Sequence, residues 1–192
     1  MKILLALRRV RVTGLAMNGK TWMTLAAACS IFGAARVAGE ALEIGKNVPV
    51  VEAKTQANVT VKLNEAAAKG WALVYFYPKA DTPGCTKQAC SLRDAYEELT
   101  SQGVKVFGVS TDTVKEQKAF ADKFTLPFTL LADKDAVVVK AFGVPTMKGD
   151  SFAKRQAFLF KDGKLVWRDL KASTDQQAAD VLKVIKAGSG DD

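Results

Sequence analysis

The chain has 192 residues, 48% of them apolar and 25% charged, which is enough for one domain with a hydrophobic core. Residues 1–40 contain six of the 28 basic residues but only one of the 20 acidic residues. The remainder, residues 41–192, therefore carries a net charge of only +3. That remainder has no basic stripe with interleaved aromatic residues, which excludes a nucleic-acid-binding surface, and the absence of histidine excludes a cysteine–histidine hydrolase.

Residues 1–40 have the composition of a targeting segment, with basic residues followed by an apolar run too short for the ~20 residues that span a bilayer. We therefore expect a cleaved secretory signal, then one domain over residues 41–192. This predicts an exported protein, in the bacterial periplasm or secreted, with no membrane association after cleavage. The alternatives are a retained anchor, lipid attachment at Cys29, or a later start at Met17 or Met23 that leaves the protein in the cytoplasm.

The remainder alternates between strand-like and helix-like segments, which predicts an α/β fold with a central sheet. A buried strand over Ala72–Tyr77 ends at Pro78, and apolar residues recur at helical spacing from Cys85 to Thr100. The later predicted elements are strands at 104–110 and 128–131, a helix from a Thr113 cap to Phe124 with Glu116 completing a capping box, a helix at 134–142, a hairpin around Asp162-Gly163, and a helix at 174–187.

Two of the three cysteines, Cys85 and Cys90, lie close together after a proline–glycine turn. Pro83 suits the first turn of a helix, so Cys85 falls where unpaired amide groups and the helix dipole favour a negative charge. Thr82 is placed either to cap that helix or to donate its hydroxyl to a bound oxygen. The pattern predicts that Cys85 reacts as a thiolate nucleophile.

The spacing of the two cysteines argues against a structural role. A disulfide closing so short a loop stabilises little, and a closed zinc site needs four ligands that two or three cysteines without histidine cannot supply. We therefore expect no metal site formed by these cysteines. On an ideal helix, Cys85 and Cys90 have Cα atoms about 8.6 Å apart, beyond the ~4.4–6.8 Å of a disulfide. A redox pair that joins only when the helix unwinds is the interpretation favoured by this spacing.

The segment resembles a known family. Pro78, Thr82 and Cys85, spaced as Pro-x-x-x-Thr-x-x-Cys, resemble the active-site signature of the peroxiredoxins, and Cys85–Asp94 is similar to their peroxiredoxin Q branch, also called bacterioferritin comigratory protein. The similarity runs from about Leu42 to Ile185. One departure is the first hairpin, where residues 57–58 are Ala-Asn and the family often has an Asp and Gly turn.

The resemblance implies a thioredoxin-like fold, with a central mixed sheet flanked by helices, and an antioxidant thiol peroxidase that needs no metal or haem. It also assigns roles to five residues. Cys85 is implied to be the peroxidatic cysteine, Cys90 the resolving cysteine, Thr82 a hydrogen-bonding partner of the peroxide, Arg155 the group that holds the thiolate, and Pro78 a shield against water.

We therefore expect an atypical two-cysteine peroxidase that reduces hydrogen peroxide and organic hydroperoxides. Its intramolecular disulfide would be reduced by thioredoxin or a similar dithiol partner, and the pairing within one chain favours a monomer. The alternative is a thiol–disulfide exchange protein or redox sensor without peroxidase turnover. Thr82 and Arg155 favour the peroxidase, because disulfide exchange needs neither residue.

Overall fold

The computed structural model describes residues 40–149 and 151–188; the predicted leader, with Cys29, lies outside the described residues except for its last position. The strands are β1 (Glu52–Thr55), β2 (Thr60–Lys62), β3 (Trp71–Phe76), β4 (Val104–Ser110), β5 (Thr129–Ala132), β6 (Thr146–Met147), β7 (Phe152–Ala153), β8 (Gln156–Lys161) and β9 (Lys164–Asp169). The helices are α1 (Leu63–Ala66), α2 (Pro83–Asp94), α3 (Tyr96–Ser101), α4 (Val114–Phe124), α5 (Val137–Ala141) and α6 (Gln177–Gly188).

Seven of the strands form one sheet in the order β2-β1-β5-β4-β3-β8-β9, and β6 pairs with β7 separately. Strands β3, β4 and β5 are parallel, whereas the other pairs in the large sheet are antiparallel. The sheet is therefore mixed, as expected. Because β8 runs antiparallel beside β3, the start of β8 lies next to the carboxyl end of β3.

The side chains of β3 alternate between two hydrophobic cores, one on each face of the sheet. Leu73 and Tyr75 pack with residues of α2, α3, α4 and α6, whereas Val74 and Phe76 pack with residues of α1 and α5. All four side chains are completely buried. Burial on both faces explains why this strand is apolar throughout instead of alternating with polar residues.

The helix predicted from Cys85 to Thr100 is instead two helices, α2 and α3, that meet at Ala95. The Ala95 N–H donates to the Ser91 carbonyl at 3.3 Å, and α3 begins at the next residue. Leu92 in α2 and Leu99 in α3 both pack in the same core, so the apolar spacing continues across the break. Hydrophobic spacing identifies the buried face, but it does not show whether the backbone is continuous.

Two carboxylates fix the starts of α4 and α5. The predicted Thr113–Glu116 capping box is present, with the backbone N–H of each residue bonded to the side chain of the other. The helix predicted at 134–142 is shorter, because the Asp133 carboxylate accepts hydrogen bonds from the amides of Val137 and Val139, both at 2.8 Å. This cap starts α5 at Val137.

The β1–β2 and β8–β9 turns use left-handed backbone. In the first hairpin Asn58 has φ 60°, a conformation that asparagine tolerates, and Thr55 Oγ1 accepts from the Val59 amide at 3.3 Å. The missing glycine therefore does not prevent this turn. In the predicted β8–β9 hairpin, Asp162 and Gly163 have φ 48° and 76°, as the Asp-Gly sequence predicts.

The segment before β1 is fixed to the second core, on the sheet face of Phe76. Leu42 is 1% exposed, its amide donates to Phe142 O at 2.8 Å, and its carbonyl accepts from Arg168 Nη1 at 2.7 Å. Gly143 lies so close to this segment that an added Cβ would be 1.8 Å from Glu40 O. Within residues 40–149 and 151–188, no helix combines the length and apolar character needed to cross a bilayer.

Candidate active site

The two cysteines lie in α2, which follows the loop at the carboxyl end of β3. Cys85 is the third residue of the helix and 2% exposed, whereas Cys90 is half-buried, and both thiols are free. Pro83 occupies the first helical position, where its missing N–H costs nothing. Cys85 therefore lies where helix amides have no intrahelical acceptor and where the helix dipole favours an anion.

Thr82 is the N-cap residue by its backbone, which is extended at φ −97° and ψ 153°, but its side chain makes no capping hydrogen bond. Its Oγ1 instead donates to the Lys79 carbonyl at 2.9 Å. The capping use that the sequence allowed is therefore not made. Because the hydroxyl proton is used by Lys79, the lone pairs of Thr82 Oγ1 are left to accept a hydrogen bond from another group.

Arg155 reaches Cys85 from a separate part of the chain. It lies between β7 and β8, and its Nη2 is 3.4 Å from Cys85 Sγ. Gly84 makes room for this contact, because an added Cβ there would be 3.3 Å from Arg155 Nη2. The antiparallel pairing of β8 with β3 explains the contact, since it places the start of β8 beside the loop that leads to α2.

A buried carboxylate supports the loop that contains Pro78 and Thr82. Asp112 is 1% exposed and accepts from the Ala80 amide at 2.7 Å, and it also pairs with Lys79 Nζ at 2.6 Å. Lys79 Nζ makes a second ion pair, at 2.7 Å, with Glu116. Sequence analysis did not identify these contacts, because they join α4 and the end of β4 to a loop about 30 residues earlier in the chain.

The electrostatics of this loop follow from its ion pairs. Hydrogen bonds to Asp112 and then to Glu116 raise the pKa of Lys79. The hydrogen bond from Lys79, followed by those from Thr113, lowers the pKa of Glu116 from 4.5 to about 2. Both groups are therefore charged at neutral pH, and Lys79 is neutralised by its partners.

Gln88 is a further residue of the site that sequence analysis missed. Its side chain is completely buried in α2, and its Oε1 accepts a hydrogen bond from Arg155 Nη1. Gln88 lies three residues after Cys85, so both side chains face the same side of the helix. That spacing is the signal that could have identified it.

The structure joins Arg155 to Cys85 by contact and places Thr82 at the start of the same helix. Pro78, Thr82 and Cys85 lie on one continuous stretch, with Pro78 half-buried directly after the buried Tyr77, and Arg155 joins them through its contact with the sulfur. Cys90 lies five residues beyond Cys85 in the same unbroken helix. In the part of the chain that the structure describes, no group of three or more cysteine and acidic side chains is placed to hold a metal ion.

Known proteins are similar to this chain over most of the described domain. The family model described as AhpC/TSA matches residues 44–168. A putative peroxiredoxin Bcp of Coxiella burnetii is 42% identical over 114 residues, which cover 59% of this chain and 74% of that protein. This chain belongs to the AhpC/TSA family.

Similar proteins and structures place this peroxiredoxin in the peroxiredoxin Q, or Bcp, branch, as predicted. The crystal structure of peroxidoxin BcpB from Mycobacterium tuberculosis has a TM-score of 0.71 and 31% identity, covering 76% of this chain and 97% of that one. A bacterioferritin comigratory protein from Xanthomonas campestris, whose structural report concerns its alkyl peroxide reduction activity, has a TM-score of 0.69 and 28% identity over 77% and 98% of the chains. The match spans 52% to 65% of the length of the chloroplastic peroxiredoxin Q relatives.

Proposed function

We propose that this peroxiredoxin is a thiol-dependent peroxidase that reduces hydrogen peroxide and organic hydroperoxides, with Cys85 as the attacking thiolate. The observation that carries the proposal is the 3.4 Å contact between Arg155 Nη2 and Cys85 Sγ in the first turn of α2. A guanidinium stays charged at neutral pH, so it favours the thiolate. The branch membership and the alkyl peroxide reduction named for the Xanthomonas campestris relative support the same reaction.

In the proposed reaction, the Cys85 thiolate attacks the terminal peroxide oxygen. An S–O bond forms as the O–O bond breaks, leaving a sulfenic acid, and the departing alkoxide or hydroxide takes a proton and leaves as alcohol or water. Negative charge moves from sulfur to oxygen, so the Arg155 donors and the amides at the start of α2 stabilise the transition state. Thr82 Oγ1 accepts the peroxide O–H, and Pro78 limits the access of water.

We assign Cys90 as the resolving cysteine. The unbroken helix keeps its Cα about 8.6 Å from that of Cys85, so the first turns of α2 must unwind before the sulfurs can meet. The Cys90 thiolate then attacks the sulfenic sulfur, and the hydroxyl leaves as water. Thioredoxin or a similar dithiol reduces the resulting disulfide by exchange. This cycle needs only one chain, which favours a monomer.

Stopped-flow measurement of the reduced protein with hydrogen peroxide tests the assignment of the two cysteines. We expect Cys85→Ser to abolish peroxide consumption, because the attacking sulfur is removed. We expect Cys90→Ser to consume one peroxide per chain and then to stop as a sulfenic acid, detectable by mass spectrometry after trapping. Activity near that of the wild type in Cys85→Ser would show that another group is the nucleophile.

The same experiment separates the peroxidase from a thiol–disulfide exchange protein, and steady-state turnover with thioredoxin separates it from a redox sensor. In an exchange protein, hydrogen peroxide would oxidise Cys85 no faster than it oxidises free cysteine. A sensor would react with peroxide but turn over poorly with thioredoxin, and its Cys90→Ser variant would accumulate mixed disulfides with a partner. The Arg155 contact favours the peroxidase, since disulfide exchange does not need a group that stabilises charge on oxygen.

A further inference from the structure

Three side chains form a continuous hydrogen-bonded line from α6 to the reactive sulfur. Gln177, the first residue of α6, accepts through Oε1 from Gln88 Nε2, and Gln88 accepts through Oε1 from Arg155 Nη1. The other terminal nitrogen of Arg155 is the one that lies 3.4 Å from Cys85 Sγ. We call Gln88 and Gln177 the glutamine pair; their exposed fractions are 0% and 1%.

The direction of each hydrogen bond in this line is fixed by the guanidinium. Arg155 offers only donors, so Gln88 must turn its Oε1 toward it. The Gln88 Nε2 group then points away from Arg155 and, because it is buried, needs an acceptor. Gln177 Oε1 is that acceptor, whereas Gln177 Nε2 is buried with no hydrogen-bond partner among the described residues. Gln177 therefore contributes its oxygen alone.

We propose that Gln177 is a positioning residue for the peroxidase reaction: its oxygen holds the Gln88 amide in the one orientation that fixes Arg155 against Cys85. This inference rests on the proposed function of the site. Without the oxygen of Gln177, the buried Gln88 Nε2 loses its acceptor, so the Gln88 side chain is held at one end only and no longer fixes the position of Arg155. The reaction with peroxide then loses a preorganised donor, although Cys85 and Arg155 are both still present.

The first experiment compares Gln177→Leu, which removes the acceptor, with Gln177→Glu, which keeps one. Gln176→Leu is the matched control, because Gln176 is the exposed neighbour in sequence. We expect Gln177→Leu to slow the peroxide reaction of Cys85 roughly tenfold, less than the ~10²–10³ lost when an oxyanion donor is deleted outright. Gln177→Glu should recover most of this loss, and Gln176→Leu should match the wild type.

Alkylation by iodoacetamide distinguishes positioning from a general loosening of the site. Alkylation needs the thiolate but no donor for a leaving oxygen, so Gln177→Leu should lower the peroxide rate more than the alkylation rate. A loosened site would expose the buried Cys85 and accelerate alkylation, which would overturn the proposal. Equal rates for Gln177→Leu and Gln176→Leu with peroxide would also overturn it.

A second experiment tests the polarity of the glutamine pair. In Gln88→Glu, the new carboxylate still accepts from Arg155, and Gln177 can turn its amide to donate its unpartnered Nε2. Adding Gln177→Glu to this variant places two carboxylate acceptors face to face. We therefore expect Gln177→Glu to slow the peroxide reaction strongly in the Gln88→Glu background, although it slows the wild type only slightly. If the double variant slows the reaction by the product of the two single effects, Gln177 does not act through Gln88. Failure of the wild type and Gln176→Leu to consume peroxide would instead refute the proposed function.

Discussion

At the level of single residues, Gly84 shows how closely the site is packed. It is the second residue of α2, and it is followed directly by Cys85. A methyl group there would approach Arg155 Nη2 to 3.3 Å, which is tighter than most side-chain contacts. The guanidinium would have to shift by a few tenths of an ångström, and it contacts both the sulfur and Gln88.

We predict that Gly84→Ala displaces Arg155 by a few tenths of an ångström and lowers kcat/KM for peroxide about three- to tenfold, because catalytic donors act only in a narrow geometry. The folded state should not be weakened, because alanine is the better helix former. Gly188→Ala is the control, since its new methyl group would meet only Trp71 at an ordinary 3.8 Å. Steady-state kinetics and thermal unfolding of both variants test this, and unchanged kcat/KM in Gly84→Ala would contradict it.

Glu116 gives a prediction for pH. Its pKa falls from 4.5 to about 2 in the folded state, so the folded state is stabilised above about pH 4.5 and loses that stabilisation as the pH falls toward 2. Glu116→Gln should therefore lower the free energy of unfolding at neutral pH, by less than about 1 kcal/mol because the pair with Lys79 is exposed. Urea unfolding between pH 7 and pH 2 should show that the difference in free energy of unfolding between the wild type and Glu116→Gln shrinks as the pH falls. Glu97→Gln, in the first turn of α3, is the control.

The sequence predicts the residues of the site that are local, and it misses those that act across the fold. Pro78, Thr82 and Cys85 form a motif on one stretch, and the family resemblance adds Arg155. Gln177 has no local signal, because a glutamine at the start of a helix is usually exposed, and only the packing of α6 against α2 buries it. The support of the active-site loop by Asp112 is hidden for the same reason, since its partners are distant in sequence.

At the level of secondary-structure elements, α2 is held on one side by the segment that precedes α6. Lys87 Nζ pairs with the Asp175 carboxylate at 2.7 Å, and Ser91 Oγ donates to the Asp175 carbonyl at 3.1 Å. The Lys87 hydrogen bond, followed by that from Ser173, lowers the pKa of Asp175, so this carboxylate is charged at neutral pH. These contacts span the turns that must unwind before the two sulfurs can join.

We predict that Asp175→Asn, which removes the charge and keeps the shape, makes the unwinding of α2 easier. The sulfenic acid of Cys85 would then be captured sooner by Cys90, so less of it would be oxidised further to the irreversible sulfinic acid. Glu98→Gln is the matched control, because Glu98 forms an exposed ion pair from α6 to α3 instead, with Lys186 at 3.2 Å. Mass spectrometry after graded peroxide doses measures the ratio of sulfinic acid to disulfide. Equal ratios in both variants would argue against this role for Asp175.

Sequence periodicity located the main elements because each is amphipathic or fully buried, and it failed where side chains set the boundaries. The strand Val104–Ser110 and the end of α4 at Phe124 are as predicted. The break at Ala95 and the delayed start of α5 are not. At Ala95 the backbone leaves the helical angles, with φ −94° and ψ 8°, and the start of α5 depends on hydrogen bonds to Asp133; apolar spacing encodes neither. The short elements α1, β6 and β7 have too few residues to show any periodicity.

For the whole molecule, the division into a leader and a catalytic domain remains a proposal that rests on composition. Residues 1–40 carry a surplus of basic residues, an apolar run and small residues near Ala41. We predict that the full chain expressed in a bacterial host yields a mature protein that begins near Ala41 and lacks Cys29, in the periplasm or outside the cell. Mass spectrometry of the intact protein tests this, and an N-terminus at Met1, Met17 or Met23 in the cytoplasm would contradict it.

Leu42 attaches the segment before β1 to the folded domain. This residue packs in the core on one face of the sheet, whereas Cys85 packs in the core on the other. A protein tethered to a bead or an electrode by a linker joined ahead of Glu40 would therefore be held on the sheet face opposite Cys85. Immobilisation in this orientation leaves the α2 surface open to an incoming dithiol protein, whereas a linker joined near α6 would crowd it.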